Sequence, residues 1–89
     1  MRAFVTVIGQ DKVGIIAAIC NLLAARQVNV LDISQTVLQD NFTMVMLTDA
    51  SASQVSFEEL SEQLAELGRS MELSIRIQRE EIFNAMHRI

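Results

Sequence analysis

The polar residues that resist a plain structural account are few, and they fall in two short stretches. The first is Val7-Ile8-Gly9-Gln10-Asp11-Lys12-Val13-Gly14-Ile15-Ile16, where an apolar strand pattern passes through a polar turn into an apolar helical one. A helix start carries unpaired backbone N–H groups and the positive end of the helix dipole, which together suit a small anion such as a carboxylate. Asp11 stands three residues before Gly14, so its carboxylate is expected to cap one of those N–H groups. Gly9 is expected to supply the unusual backbone that ends the strand. The second stretch holds Asn29, Asp32 and Ser34. If the two converge, donors for a carboxylate lie beside acceptors for an ammonium group, the pairing that an α-amino acid requires. The plainer account is a capped strand-to-helix turn, with Asn29 and Asp32 managing a turn and a bulge.

Other reactive side chains point to no further chemistry. His87 is the sole histidine and has no second ligand type near it in sequence, so no metal site is expected. Cys20 lies among Ile16, Ile19 and Leu23 and reads as a core thiol. Glu58, Glu59, Glu62 and Glu66 crowd one side of a helical stretch as a solvated face. No Ser-His-Asp set, CxxC pair or phosphate-loop consensus occurs, so no catalytic residue and no cofactor are expected.

Eighty-nine residues suffice for one core. With 51% of them apolar, the interior is too small for all, and part of the apolar surface is expected to meet a partner. The net charge is −4, and Arg2, Lys12, Arg26, Arg69, Arg76, Arg79 and Arg88 are scattered, which argues against nucleic acid. Apolar runs are far shorter than a membrane span, and the chain opens on a strand pattern rather than a signal peptide. One cysteine suits a reducing compartment. A cytoplasmic protein without membrane association is expected.

The elements that must position these residues follow from periodicity. Arg2 to Ile8 is a strand with Val5 and Val7 on one side and Phe4 and Ile8 on the other, so both faces are apolar and the strand belongs mid-sheet. From Gly14 to Ala25, Ile15, Ile19, Leu22 and Leu23 recur at helical spacing. Val28 to Leu38 is a second strand whose alternation slips near Leu31-Asp32, predicting a bulge. Asp40-Asn41 is expected to form a two-residue turn into a third strand, Phe42 to Thr48, again apolar on both faces. Ser56 and Glu59 form a capping box for a second helix, with Phe57, Leu60, Leu64 and Leu67 inward and Gly68 as its expected end. Met71 to Gln78 alternates as an edge strand. Ile82, Phe83, Met86 and Ile89 share one side of a short tail helix, which must dock to persist. The order βαββαβ with right-handed crossovers predicts an α+β, ferredoxin-like sandwich over residues 1–79. Two helices cover one face of a four-stranded antiparallel sheet, and residues 80–89 form a helical tail on the domain or a partner subunit.

The residues of Val5-Thr-Val-Ile-Gly-Gln-Asp-Lys-Val-Gly14-Ile-Ile and Gln27-Val-Asn-Val-Leu-Asp-Ile33 resemble those of the ACT domain, a small amino-acid-sensing module. Ser34-Gln-Thr-Val-Leu38, Phe42-Thr-Met44 and the tail Ile82 to Ile89 are similar to a group of standalone bacterial ACT proteins, and to the amino-terminal module of glycine-cleavage-type regulators. The resemblance implies a homodimer or higher homo-oligomer that binds a small amino acid at the subunit interface. By that resemblance contacts would come from Asp11, the backbone around Gly14 (Val13, Gly14 and Ile15) and Asn29, and the reading of the two polar stretches adds Gln10 and Asp32 as candidates. Many ACT domains carry proline before the glycine; Val13 here leaves the loop less pre-organised. A ligand-free interaction module with a protein partner is the alternative. An acylphosphatase-like enzyme needs an arginine where Ile15 and Ile16 stand, and an RNA reader needs more exposed aromatics than Phe4 and Phe42.

Overall fold

The computed structural model describes residues 1–86. The elements are β1 (Arg2–Gln10), α1 (Ile15–Ala25), β2 (Asn29–Leu38), β3 (Asn41–Asp49), α2 (Phe57–Met71), β4 (Leu73–Arg79) and α3 (Glu80–Met86). The strands form one antiparallel sheet in the order β2-β3-β1-β4, so the two strands that are apolar on both faces stand in the middle. This is the ferredoxin-like βαββαβ arrangement with an added C-terminal helix.

One face of the sheet is sealed by α1 and α2. Ala3, Val5, Val7, Met44 and Met46 lie fully buried beneath Ile19, Leu23, Leu60 and Leu64. The one buried polar side chain among the described residues is Thr48, and its hydroxyl donates to the Ala3 carbonyl at 2.8 Å, so its burial leaves no unpaired group. Helix α2 starts as its residues require, with the Ser56 hydroxyl accepting from the Glu59 N–H at 3.1 Å. The Glu59 carboxylate accepts instead from the Gln63 amide at 3.5 Å, leaving the cap one-armed.

Four local expectations need correction. Gly9 does not end β1; it sits inside the strand with ordinary φ, and a Cβ there would fall 2.5 Å from Leu73 Cδ2. Glycine is needed for the close approach of β4, not for a turn. Gly68 does not end α2, which runs on to Met71 and is closed by Glu72 in the left-handed region. A Cβ at Gly68 would meet the Leu73 carbonyl oxygen at 2.7 Å, so this glycine lets the helix settle against β4. Met71 accordingly belongs to α2 rather than to β4, which begins at Leu73. The hairpin turn is Gln39-Asp40, both at positive φ, because Asn41 is retained in the ladder opposite Leu38 and Gln10. The bulge falls where the slipped alternation predicts it: the β2–β3 register skips Leu31 between Val30 and Asp32.

Helix α3 docks on the other face, over β1 and β4, with Phe83 stacked on Phe4 at a ring-centroid distance of 4.2 Å. Only part of the expected apolar stripe is engaged, since Ile82 and Met86 are more than half exposed. His87 and Ile89 lie outside the described residues.

Candidate functional site

The β1–α1 loop is held from two sides. The Asp11 N–H donates to the Asp40 carbonyl at 2.8 Å, tying the loop to the β2–β3 turn. The Lys12 ammonium donates to the Met71 carbonyl, where it meets the negative end of the α2 dipole. The loop thus rests between both neighbouring turns while Gln10, Asp11, Val13 and Gly14 remain exposed. Val13 is 100% exposed.

Asp11 does not cap α1. Gly14 is the N-cap residue at φ 91°, and no side chain bonds to the helix start. The reason is geometric: β1 continues through Gln10, Asp11 is drawn to Asp40, and the left-handed Gly14 then turns the chain directly into Ile15. The first N–H turned back into the helix is that of Ala18, donating to the Gly14 carbonyl at 2.9 Å. The N–H groups before it point out beside an uncapped dipole end, and the first turn holds no acidic residue. Ile15 is buried and anchors this turn from below. The arrangement offers donors to an anion without a side chain already occupying them.

Asn29 and Asp32 do not join that loop within one chain. Asn29 pairs with Asp49, which pairs with Arg2, whereas Gln10 pairs with Asn41 at the far end of the same strands. The nine-residue β1 separates the two groups by roughly 25 Å at about 3.3 Å per residue. Asp32 lies on the opposite face from the helices, in register with Leu47, and its carboxylate accepts from the Ile33 N–H at 2.9 Å within the bulge. Ser34 follows it on the same face, opposite Val45. Asp49, next to Asn29, has its carboxyl held below the usual value of 3.8, first by hydrogen bonds from the Ser51 side chain and backbone and then by the N-terminal ammonium 3.5 Å away.

Two cavities open on the face away from α1 and α2, and the loop lines neither. One, about 330 Å³, is bounded by Thr6, Ile8, Val45, Ser74, Arg76, Gln78, Phe83 and Met86. The other, about 300 Å³, is bounded by Phe4, Asp32, Ile33, Ser34, Val45 and Leu47. Among the described residues no group of three or more His, Cys, Asp or Glu side chains could hold a metal ion. No described helix is long and apolar enough to cross a membrane.

Strand β2 is the most exposed element. Leu31, Ile33, Val37 and Leu38 are 48%, 40%, 53% and 70% exposed, and Asp32 is its single charge. Ile33 and Val37 share the register face of Met46 and Phe42, which are buried, so the helix layer stops short of this edge. The residues that hold the loop, Lys12 and Asp40, carry no signal of their own in the sequence. Only the pairing of Gln10 with Asn41, a consequence of the strand order, would have placed the turn against the loop.

Comparison with known proteins returns the same α+β fold. The family profile described as ACT domain matches residues 2–78, and the chain belongs to the ACT domain family. A UPF0237 protein of Clostridium acetobutylicum is 54% identical over 89 residues, covering all of both chains. The structure of an ACT domain protein from Streptococcus pneumoniae superposes with a TM-score of 0.81 at 36% identity, over 93% of each chain. A candidate glycine cleavage system transcriptional repressor shares the fold, with a TM-score of 0.73 at 19% identity over 86% of this chain and 44% of the other.

Proposed function

We propose that this chain is a non-enzymatic regulatory module that binds a small amino acid in a site completed by a second copy. The observation that carries this reading is that Asp11 and Asn29 stand at opposite ends of a sheet whose outermost strand is β2. If two copies pair antiparallel through β2, the Asn29 end of one strand meets the Leu38 end of the other. Leu38 leads into the Gln39-Asp40 turn, which holds the Asp11 loop. A twofold axis therefore brings the groups that one chain keeps apart into two equivalent composite sites. The N–H groups of α1 and the backbone of Val13, Gly14 and Ile15 would take the carboxylate. Gln10, Asp11 and the second copy's residue at position 29 would take the ammonium, with Asp32 on the flanking bulge.

The edge supports pairing on physical grounds: β2 has no Pro, Lys or Arg to discourage it, and its exposed apolar residues need cover. Residues 1–79 then act as the sensing domain and 80–89 as its C-terminal extension, of which α3 is docked on the sheet. The test is a thermal-shift screen of the full chain against the twenty amino acids. A cognate ligand at 100 times its dissociation constant adds roughly 2.7 kcal/mol of stability. The shift should vanish in Asp11→Ala and in Asn29→Ala. Absence of any shift across the panel would favour a ligand-free module that works through oligomerisation or protein contact alone, the reading that the exposed apolar edge also accommodates.

A further inference from the structure

The larger cavity on the open sheet face is built from groups that the amino-acid site does not use. Its floor follows from the register. Val45, Thr6 and Arg76 form one row across β3, β1 and β4, and Ile8 and Ser74 stand together in the next row. Its roof is α3, held by Phe83 on Phe4 and by the Gln78 amide donating to Met86 Sδ at 3.2 Å. The volume, about 330 Å³, falls within the roughly 300–1,000 Å³ of small-molecule pockets.

The lining is divided by chemistry. Ile8, Val45, Phe83 and Met86 give an apolar wall, while Thr6, Ser74 and Arg76 bring two hydroxyls and a guanidinium to the β4 side. Among the described residues none of these three side chains makes a hydrogen bond or ion pair with another. Glu80, at the head of α3, is engaged by Arg2 at 3.3 Å rather than by Arg76. An open cationic fork beside two hydroxyls in a chain of net charge −4 is a local reversal of sign. A guanidinium presents paired donors that match the two oxygens of a carboxylate.

We propose that the cavity between α3 and the sheet is a second binding site, one for a small monocarboxylate with an apolar body. The carboxylate lies on Arg76 with Ser74 and Thr6 beside it, and the hydrocarbon part lies against Ile8, Val45, Phe83 and Met86. Because α3 forms the roof, occupancy fixes the helix on the sheet. Among the described residues an ammonium group has no acceptor set here beyond the hydroxyls and Gln78, so the site prefers a plain carboxylate over an amino acid.

The test is an amide NMR titration of the full chain with 4-methylpentanoate, and with 4-methylpentanamide as the neutral isostere. Saturable shifts are expected at Ile8, Ser74, Arg76 and Phe83 and not at Gly14, with the amide binding about tenfold more weakly or worse. Arg76→Gln should lose about tenfold in affinity with an unchanged melting temperature, and Arg76→Lys should recover part of it. Arg69→Gln, which alters an exposed arginine on α2, should bind as the unaltered chain does. Should Arg76→Gln fail to fold, Ser74→Ala serves, with a smaller loss. Shifts spread over every exposed arginine, shifts confined to the Gly14 loop, equal binding of the amide, or no saturable shift at millimolar 4-methylpentanoate would each overturn the proposal. The amino-acid site stands or falls separately, because its probes shift the loop and depend on Asp11 and Asn29.

Discussion

The two faces of the one sheet behave differently, although the same strands supply both. On the face under α1 and α2, Val5, Val7, Met44 and Met46 have no exposed surface. On the other, Ile8 is 52% exposed and Thr6 and Val45 are half-buried, although α3 lies across β1 and β4. A sheet needs only one sealed face to fold; the second can be left part-covered for binding. The comparison separates what makes this chain a sandwich from what leaves it surfaces to use.

Truncation on each face breaks that comparison most strongly. Met46→Ala removes a fully buried β3 side chain beneath the helices and should cost about 2–5 kcal/mol in urea denaturation. Phe4→Ala on the open face loses a ring stack worth about 0.5–1.5 kcal/mol together with partial burial, and should cost clearly less. Equal losses would mean that α3 seals its face as tightly as the two long helices seal theirs. Next in size is Gly68→Ala. Intrinsic helix preference favours alanine by about 1 kcal/mol, but the new Cβ meets a backbone oxygen that cannot swing aside. A net destabilisation of about 1–3 kcal/mol is expected from chemical denaturation. The smallest effect concerns Asp49. Its carboxyl is lowered by Ser51, so the folded chain binds that proton less readily than the unfolded one. The resulting stability is present above the ordinary value of 3.8 and is lost as pH falls through the lower folded value. Ser51→Ala should flatten that limb of the acid denaturation curve and leave stability at neutral pH less affected than Met46→Ala does.

Much of the fold was legible because hydrophobic period and burial face coincide in it. Leu73, Ile75 and Ile77 alternate as their burial does, Leu60 and Leu64 face the sheet, and the slip near Leu31 became a bulge. The two strands that are apolar on both sides took the middle. Glycine roles were not legible. A glycine demanded by φ and one demanded by a neighbouring atom look alike in a sequence, and Gly9 and Gly68 are of the second kind while Gly14 is of the first. The loop's chemistry was half legible. Helix polarity placed donors at Gly14, but the bond from Asp11 to Asp40 depends on a turn far away in sequence, and it displaced the expected cap. Arg76 stands in the polar row of β4, and only the docking of α3 turns that row into the side of a cavity.

The central claim is that one chain supplies Asp11 and another the residue at position 29. Mixing Asp11→Ala chains with Asn29→Ala chains tests it, with amino-acid binding followed by titration calorimetry. Each variant alone should be silent. The mixture should regain one intact site per mixed dimer, giving half the capacity of the unaltered dimer within the mixed fraction and an unchanged affinity. A mixture as silent as its two components, while unaltered chains bind, would contradict the account.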